Sequence, residues 1–138
     1  MSYDYDPEES EMWEILDRIN REPYKLHMPI DNDVLTVLDF WFRHSPFAED
    51  DEFPITRELA EKMFGRTVSM DEIESLLNRL MGSIYFTFED GTEIGQRLLT
   101  GISSVKRNNE VIAFLQTDDV KKAFIMESGI LDMRFSQT

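Results

Sequence analysis

The sequence contains no cysteine and only two histidines, which excludes a disulfide framework, a thiolate metal site and a cysteine nucleophile. Its apolar runs are all shorter than the ~18 residues of a membrane-spanning helix, and its first ten residues are acidic. Basic residues are also scarce, with 14 Lys and Arg against 28 Asp and Glu, so the net charge is −14 over 138 residues. From these features we expect one cytoplasmic domain with a terminal extension, without a membrane span or a secretory signal.

Motifs for catalysis and for cofactor binding are missing as well. There is no glycine-rich phosphate loop and no Gly-x-Ser-x-Gly elbow. His27 falls in an extended segment, and His44 falls at the end of a helix, where pairing with the helix dipole explains it. Residues 31–33 begin like a calcium loop, but Leu35 takes the place of its third ligand. We therefore predict a protein that is not an enzyme and that binds no cofactor and no metal.

Apolar and aromatic residues are abundant enough for a bulky core. They make up 41% of the chain and include ten Phe. A first helix is predicted from Pro7, with Asp6 as its N-cap, and Pro23 ends it before an extended link at residues 24–29. A second helix is predicted at residues 33–44, and its broad apolar face indicates burial on several sides.

Two short helices are predicted next, after an extended piece at residues 53–55. Thr56 caps the first of them, at residues 57–64, and Gly65 suits the left-handed position that follows a helix. A capping box that begins at Ser69 opens the second, which Gly82 closes. Two short helices joined by a short turn after a longer helix indicate a helix-turn-helix.

The apolar period changes from 3.6 to 2 after residue 82, which predicts β-strands. We expect strands at residues 84–88, 96–106 and 111–115, a two-residue turn at Asn108 and Asn109, and a last helix capped at residues 117–119. The order of elements predicts an α+β fold of the winged-helix type, in which a helix-turn-helix is followed by a three-stranded antiparallel wing.

Several segments share their pattern with a known family. After an apolar second helix these are ITRELAE at residues 55–61, IESLLNRLMG at residues 73–82, GISSVK at residues 101–106 and VIAFL at residues 111–115. With them, residues 31–125 resemble the N-terminal winged-helix domain of plasmid replication initiator proteins of the Rep type. The resemblance implies a domain that mediates dimerisation and some contact with the DNA backbone.

Acidic residues are concentrated in two segments. Residues 1–30 are expected to form an acidic helical extension of the winged-helix domain at residues 31–138, and a polar loop follows the second helix. The candidate partner-binding carboxylates are Asp4, Asp6, Glu8, Glu9, Glu11, Glu14, Glu49, Asp50, Asp51 and Glu52. Such rows of carboxylates either keep a domain soluble or occupy a basic groove as DNA phosphates would.

Basic residues are poorly placed for reading DNA. The second helix of the helix-turn-helix would supply Arg, Lys, Asn or Gln to the groove, yet Asp71, Glu72 and Glu74 stand near its start. The alternative candidates for DNA contact lie in the wing and the last helix, and these are Arg97, Lys106, Arg107, Lys121 and Lys122. They either form a local basic patch or merely balance nearby acids.

The last predicted strand is apolar at every position, through Val111, Ile112, Ala113, Phe114 and Leu115. Both faces of such a strand need cover. The last helix, the N-terminal extension or a second copy of the chain would provide it. We therefore treat this segment as the candidate dimer strand.

Three functional hypotheses follow. The first is a non-enzymatic acidic winged-helix protein that binds a basic nucleic-acid-binding protein, as an inhibitor or DNA mimic from a phage or mobile element, of the anti-CRISPR or anti-restriction type. The alternative is a DNA-binding regulator or initiator-like domain that acts as a dimer. The third is a module that inactivates an initiator by forming mixed dimers through the wing strands.

Overall fold

The structure, a computed structural model, describes residues 7–27 and 32–132, and it describes the side chains of the first helix from residue 13 onward. Within these residues the chain has an α+β fold of five α-helices and two three-stranded antiparallel sheets. The helices are α1 (Pro7–Arg21), α2 (Asn32–Asp39), α3 (Arg57–Phe64), α4 (Met70–Leu80) and α5 (Asp119–Glu127). The strands are β1 (Tyr24–His27), β2 (Glu52–Thr56), β3 (Ser83–Phe88), β4 (Glu93–Arg97), β5 (Gly101–Arg107) and β6 (Glu110–Gln116).

Local sequence signals account for where the helices begin and end. Thr56, Ser69 and Asp118 cap α3, α4 and α5, and their side chains accept a backbone N–H three residues ahead at 3.1, 3.2 and 2.7 Å. Gly65 follows α3 in the left-handed conformation, with φ at 68°. The predicted caps are confirmed, as is the start of α1 at Pro7. The predicted N-cap of α1, Asp6, lies outside the described residues.

The second helix lies at the centre of the fold. Its apolar face is buried as predicted, through Val34, Leu35, Val37, Leu38, Trp41 and Phe42. The five residues that follow α2, Phe40–His44, form a π-helical turn rather than the regular α-helix predicted to residue 44. Trp41 stacks on Phe53 of β2 with ring centroids 5.4 Å apart, and its indole N–H donates to the carbonyl of Phe47 at 3.0 Å.

The first sheet has the strand order β1-β3-β4. The extended conformation predicted at residues 24–29 is confirmed over the first four residues, but these form a strand rather than a link, because Tyr24–His27 pairs with β3 from Tyr24↔Phe88 to His27↔Tyr85. The Tyr24 ring packs edge-on against Phe86 with ring centroids 5.1 Å apart, and this aromatic contact stabilises the pairing of the short segment with the sheet. Residues 28 and 29 lie outside the described residues.

The second sheet has the strand order β2-β6-β5. The single long strand predicted at residues 96–106 is wrong, because the chain leaves the first sheet after Arg97 and enters the second at Gly101. Leu98 and Leu99 are both buried at the crossing, and two successive buried side chains break the alternation of a strand. The predicted three-stranded wing is therefore wrong in composition, since residues 84–88 and 111–115 belong to different sheets.

The turn between β5 and β6 forms as predicted. Asn108 and Asn109 have φ of 54° and 62°, the left-handed region that Asn tolerates and that a tight two-residue hairpin requires. Seven register pairs, from Gly101↔Gln116 to Arg107↔Glu110, hold the two strands together.

One hydrophobic core joins both sheets to the helices. α1 contributes Leu16 and Ile19 to this core and lies against α5. Phe86 of the first sheet meets Phe124 of α5 edge-on at 5.3 Å.

The expected domain boundary between residues 30 and 31 lies outside the described residues. Of the described helices, none has the length and apolar character needed to cross a lipid bilayer.

Candidate interaction surfaces

The segment from the π-helical turn into β2 presents four consecutive carboxylates. Glu49, Asp50, Asp51 and Glu52 (the acidic loop) are all exposed. None of them forms an ion pair with another described residue. Neighbouring carboxylates without an ion-pair partner repel one another and attract a positively charged partner.

The backbone of the acidic loop is held by the rest of the fold. The Lys122 ammonium of α5 donates to the carbonyl oxygens of Ala48 and Asp50 at 2.9 and 3.2 Å. The Thr117 N–H donates to the carbonyl of Asp51 at 2.8 Å. Lys122 thus binds the backbone of the loop rather than its carboxylates, and the four acidic side chains remain exposed on a fixed scaffold.

The N-terminal candidates are only partly described. Asp4 and Asp6 lie outside the described residues. Three more belong to the first turns of α1, where side chains are not described, and these are Glu8, Glu9 and Glu11. Glu14 is exposed next to Trp13, whose side chain is 46% exposed. The described part of this segment therefore carries one candidate carboxylate and one exposed aromatic ring.

The exposed face of α4 is acidic near its start. The carboxylate of Glu72 accepts a hydrogen bond from Arg66 at 2.6 Å, and this contact is the main cause that lowers the pKa of Glu72. Glu74 lies 3.8 Å from the ammonium of Lys106. Asp71 is exposed and forms no ion pair within the described residues. A helix that reads a DNA groove would carry cations at these positions.

A cavity of about 270 Å³ is lined by residues of α2, of the end of α3, of α4 and of the segment between α3 and α4. Its charged lining residues are Asp33, Arg66, Asp71, Glu72 and Arg79. The Asp33 carboxylate lies 3.4 Å from Arg66 and 3.9 Å from Arg79. The three carboxylates outnumber the two guanidinium groups, so the cavity has no surplus positive charge for a phosphate.

The five basic candidates for DNA contact fall in three places. Lys121 donates to the carbonyl of Arg97 at 2.9 Å, which brings these two residues together. Lys106 and Arg107 lie at the far end of β5, a strand of about 20 Å. Lys122 is at the acidic loop. The described contacts do not join the five into one basic patch.

The candidate dimer strand is the central strand of the second sheet. Val111, Ala113 and Leu115 of β6 are buried in the core, while Ile112 on the opposite face is 41% exposed. Both edges of β6 are already paired, with β2 and with β5. A second copy would therefore meet this sheet at the exposed face around Ile112 or at the outer edge of β2 or β5, and the dimer stays a prediction.

The sequence analysis did not identify the outward face of the first sheet as a surface. Exposed residues alternate along the three strands of this sheet and share its outward face. They are Lys25, His27, Tyr85, Thr87, Glu93, Gly95 and Arg97, and we call this surface the open face. Tyr85 is its one large exposed hydrophobic side chain. Alternation was visible in the sequence of β3, but the pairing of the three strands depends on long-range contacts that local patterns do not report.

Comparison of the chain with protein-family models, with curated proteins and with solved structures finds no match. The resemblance to plasmid initiators therefore remains a prediction from sequence pattern. Among the residues that the structure describes, no group of three or more acidic or histidine side chains is arranged to hold a metal ion.

Proposed function

We propose that this protein is a non-enzymatic winged-helix protein that binds a basic, nucleic-acid-binding protein partner through its acidic surface. It would act as an inhibitor that occupies the partner's nucleic-acid groove, in the manner of a DNA mimic from a phage or mobile element. The observation that carries the proposal is the acidic loop, with four exposed carboxylates and no ion-pair partner among the described residues.

The order of elements supports the winged-helix part of the proposal. The succession α2, β2, α3, α4, β5 and β6, with β2-β6-β5 as one sheet, is the order of a helix-turn-helix followed by a wing. In this interpretation the β5–β6 hairpin is the wing. The β3–β4 hairpin is an insertion before it, and β1 completes the first sheet by pairing with β3 of that insertion.

The charge on α4 supports a protein partner over a DNA partner. α4 takes the position of the helix that would enter the major groove, and Asp71 and Glu72 lie in its first turn. Carboxylates at that position would face DNA phosphates and be repelled. Arg79 near its other end lies close to Asp33, so its charge is partly compensated.

The anchored backbone of the acidic loop supports tight recognition as well as attraction. Ordering a flexible loop on binding costs conformational free energy, and a loop that is already held in place avoids part of that cost. The hydrogen bonds from Lys122 and Thr117 provide that hold. Carboxylates on a backbone that is already held would meet a basic groove without paying that part of the cost.

Octalysine peptide is a defined basic probe for this surface. We expect Asp50→Lys with Asp51→Lys to weaken octalysine binding about tenfold at low salt, because several carboxylate contacts worth ~0.2–1 kcal/mol each are lost or reversed. The matched control is Glu58→Lys with Glu89→Lys, which changes the net charge equally at exposed positions elsewhere. Isothermal titration calorimetry at two salt concentrations measures the affinity of both double variants for octalysine, and circular dichroism verifies that the variants fold.

Equal weakening in the two double variants would contradict the proposal, because it would show that octalysine responds to net charge alone. The triple variant Glu8→Lys, Glu9→Lys and Glu11→Lys extends the test to the N-terminal segment. Unchanged affinity in both the loop variant and this triple variant would also overturn the DNA-mimic proposal.

The β5–β6 hairpin favours a second function, that of a DNA-binding, dimeric regulator or initiator-like domain. Lys106 and Arg107 stand next to its turn, and all residues from Ser103 to Asn109 are exposed. Arg107 has no ion pair within the described residues. A wing tip with exposed cations is suited to phosphate contact.

A further inference from the structure

The open face of the first sheet combines a partly exposed aromatic ring with cations on either side. Tyr85 lies at the centre of this face, between His27 on β1 and Gly95 on β4 in the register of the sheet. Its side chain is 37% exposed. The core lies on the other side of the sheet, where Ile84 and Phe86 are buried.

The glycine opposite Tyr85 determines how the ring lies. A Cβ at residue 95 would stand 2.7 Å from Cε1 and 2.9 Å from Cδ1 of Tyr85, closer than atoms can approach. The ring therefore leans across β4 into space that only glycine leaves free. This packing holds the ring against the backbone of a sheet, while 37% of the residue stays exposed to solvent.

The charges of the open face differ from those of the whole chain. Lys25 and Arg97 provide two cations against the single carboxylate of Glu93, whereas acids outnumber bases two to one in the sequence. Neither Lys25 nor Arg97 forms an ion pair in the described part of the chain. Lys121 reaches the carbonyl of Arg97 at 2.9 Å and adds a third cation at that corner.

The two cations flank the ring diagonally. Lys25 is paired with Thr87, two residues along β3 from Tyr85 in one direction, and Arg97 is paired with Ser83, two residues in the other. From strand spacings of about 4.8 Å and a rise of about 3.4 Å per residue, their Cα atoms are about 17 Å apart. Tyr85 therefore lies midway along a diagonal with a cation at each end.

We propose that the open face binds single-stranded nucleic acid, with one base stacked on Tyr85 and the flanking phosphates held by Lys25 and Arg97. Aromatic rings on a sheet with flanking cations suit single strands, because unpaired bases are free to stack and every base has a π-face. A duplex has its bases already stacked on one another and offers none to Tyr85. This inference does not depend on the acidic loop or on its partner.

Fluorescein-labelled decathymidylate titrated with the full chain tests the proposal by anisotropy at low salt. We expect wild type and Tyr85→Phe to bind alike, because both side chains keep the ring. Tyr85→Leu keeps apolar cover over Gly95 and should preserve folding, but it should weaken binding about 5- to 150-fold through loss of stacking. Lys25→Glu with Arg97→Glu should also weaken binding and reduce its salt dependence.

The matched control is Arg57→Glu with Lys62→Glu, which makes the same charge change on α3, a helix that packs beside the second sheet, and should alter the affinity less than threefold. A loss of affinity in this control as large as the loss in Lys25→Glu with Arg97→Glu would overturn the proposal. So would equal affinities of Tyr85→Leu and Tyr85→Phe, equal binding of a decamer duplex, or absence of wild-type binding at low salt.

Discussion

At the scale of single residues, Arg18 links the first helix to the first sheet. Its guanidinium donates to Asp90 at 2.6 Å and to Glu22 at 2.9 Å, and it lies 4.1 Å over the ring of Phe88. Asp90 in turn accepts the backbone N–H of Thr92 at 2.9 Å, within the turn between β3 and β4. One carboxylate thus orders the turn and receives the contact from α1.

Acidification tests this role of Asp90. Hydrogen bonds from Thr92, together with Arg18, lower its pKa from 3.8 to about 2. Because the folded state holds the carboxylate ionised, its stabilisation is fully present above about pH 4 and is lost as the pH falls towards 2. Asp90→Asn should therefore unfold at a lower temperature than wild type at pH 5.5, and the difference should shrink between pH 4 and pH 2.5.

Thermal unfolding followed by circular dichroism measures this difference. Glu89→Gln changes the neighbouring exposed acid and is the matched control, and it should follow wild type across the same pH range. A difference in unfolding temperature between wild type and Asp90→Asn that stays constant down to pH 2.5 would show that the ionised carboxylate is not the stabilising group.

At the scale of elements, capping residues predicted where helices begin better than the alternation of apolar residues predicted the strands. The caps at Thr56, Ser69 and Asp118 were predictable because each depends on residues within three positions of one another. The strand β1 was missed because four residues carry little periodicity, and its partner β3 is about 60 residues away. The break at Leu98 and Leu99 had a visible signal, since two adjacent apolar residues interrupt a period of 2.

The anchoring of the acidic loop by α5 makes a prediction at this scale. Lys122→Met removes two hydrogen bonds to the loop backbone and lowers the net charge from −14 to −15. Because a loop that is held in place avoids part of the cost of ordering on binding, octalysine should bind this variant about threefold more weakly despite its greater negative charge.

Lys62→Met is the matched control, because it removes an exposed lysine of α3 that lies 3.9 Å from Glu58. This variant should bind octalysine as tightly as wild type or more tightly, and calorimetry compares the two. Tighter binding by both variants would mean that net charge alone governs the interaction.

At the scale of the whole molecule, the two candidate surfaces differ in how far the sequence could reveal them. The acidic loop is a continuous run at residues 49–52, so composition alone identified it. The open face draws on Lys25, Tyr85 and Arg97, which only the pairing of three distant strands brings together. The basic candidates for DNA contact stay a prediction, and their separation between the ends of β5 depends on the crossing from one sheet to the other.

The central claim is that this molecule takes the place of duplex DNA on a basic partner and does not itself bind duplex DNA. Anisotropy of a labelled blunt-ended duplex, titrated with wild type at low and then at moderate salt, tests it most directly. We predict no binding even at low salt, where attraction to phosphates is strongest. Binding with a dissociation constant of ~10⁻⁴–10⁻⁶ M that weakens with salt and is lost in Lys106→Glu with Arg107→Glu would contradict the claim.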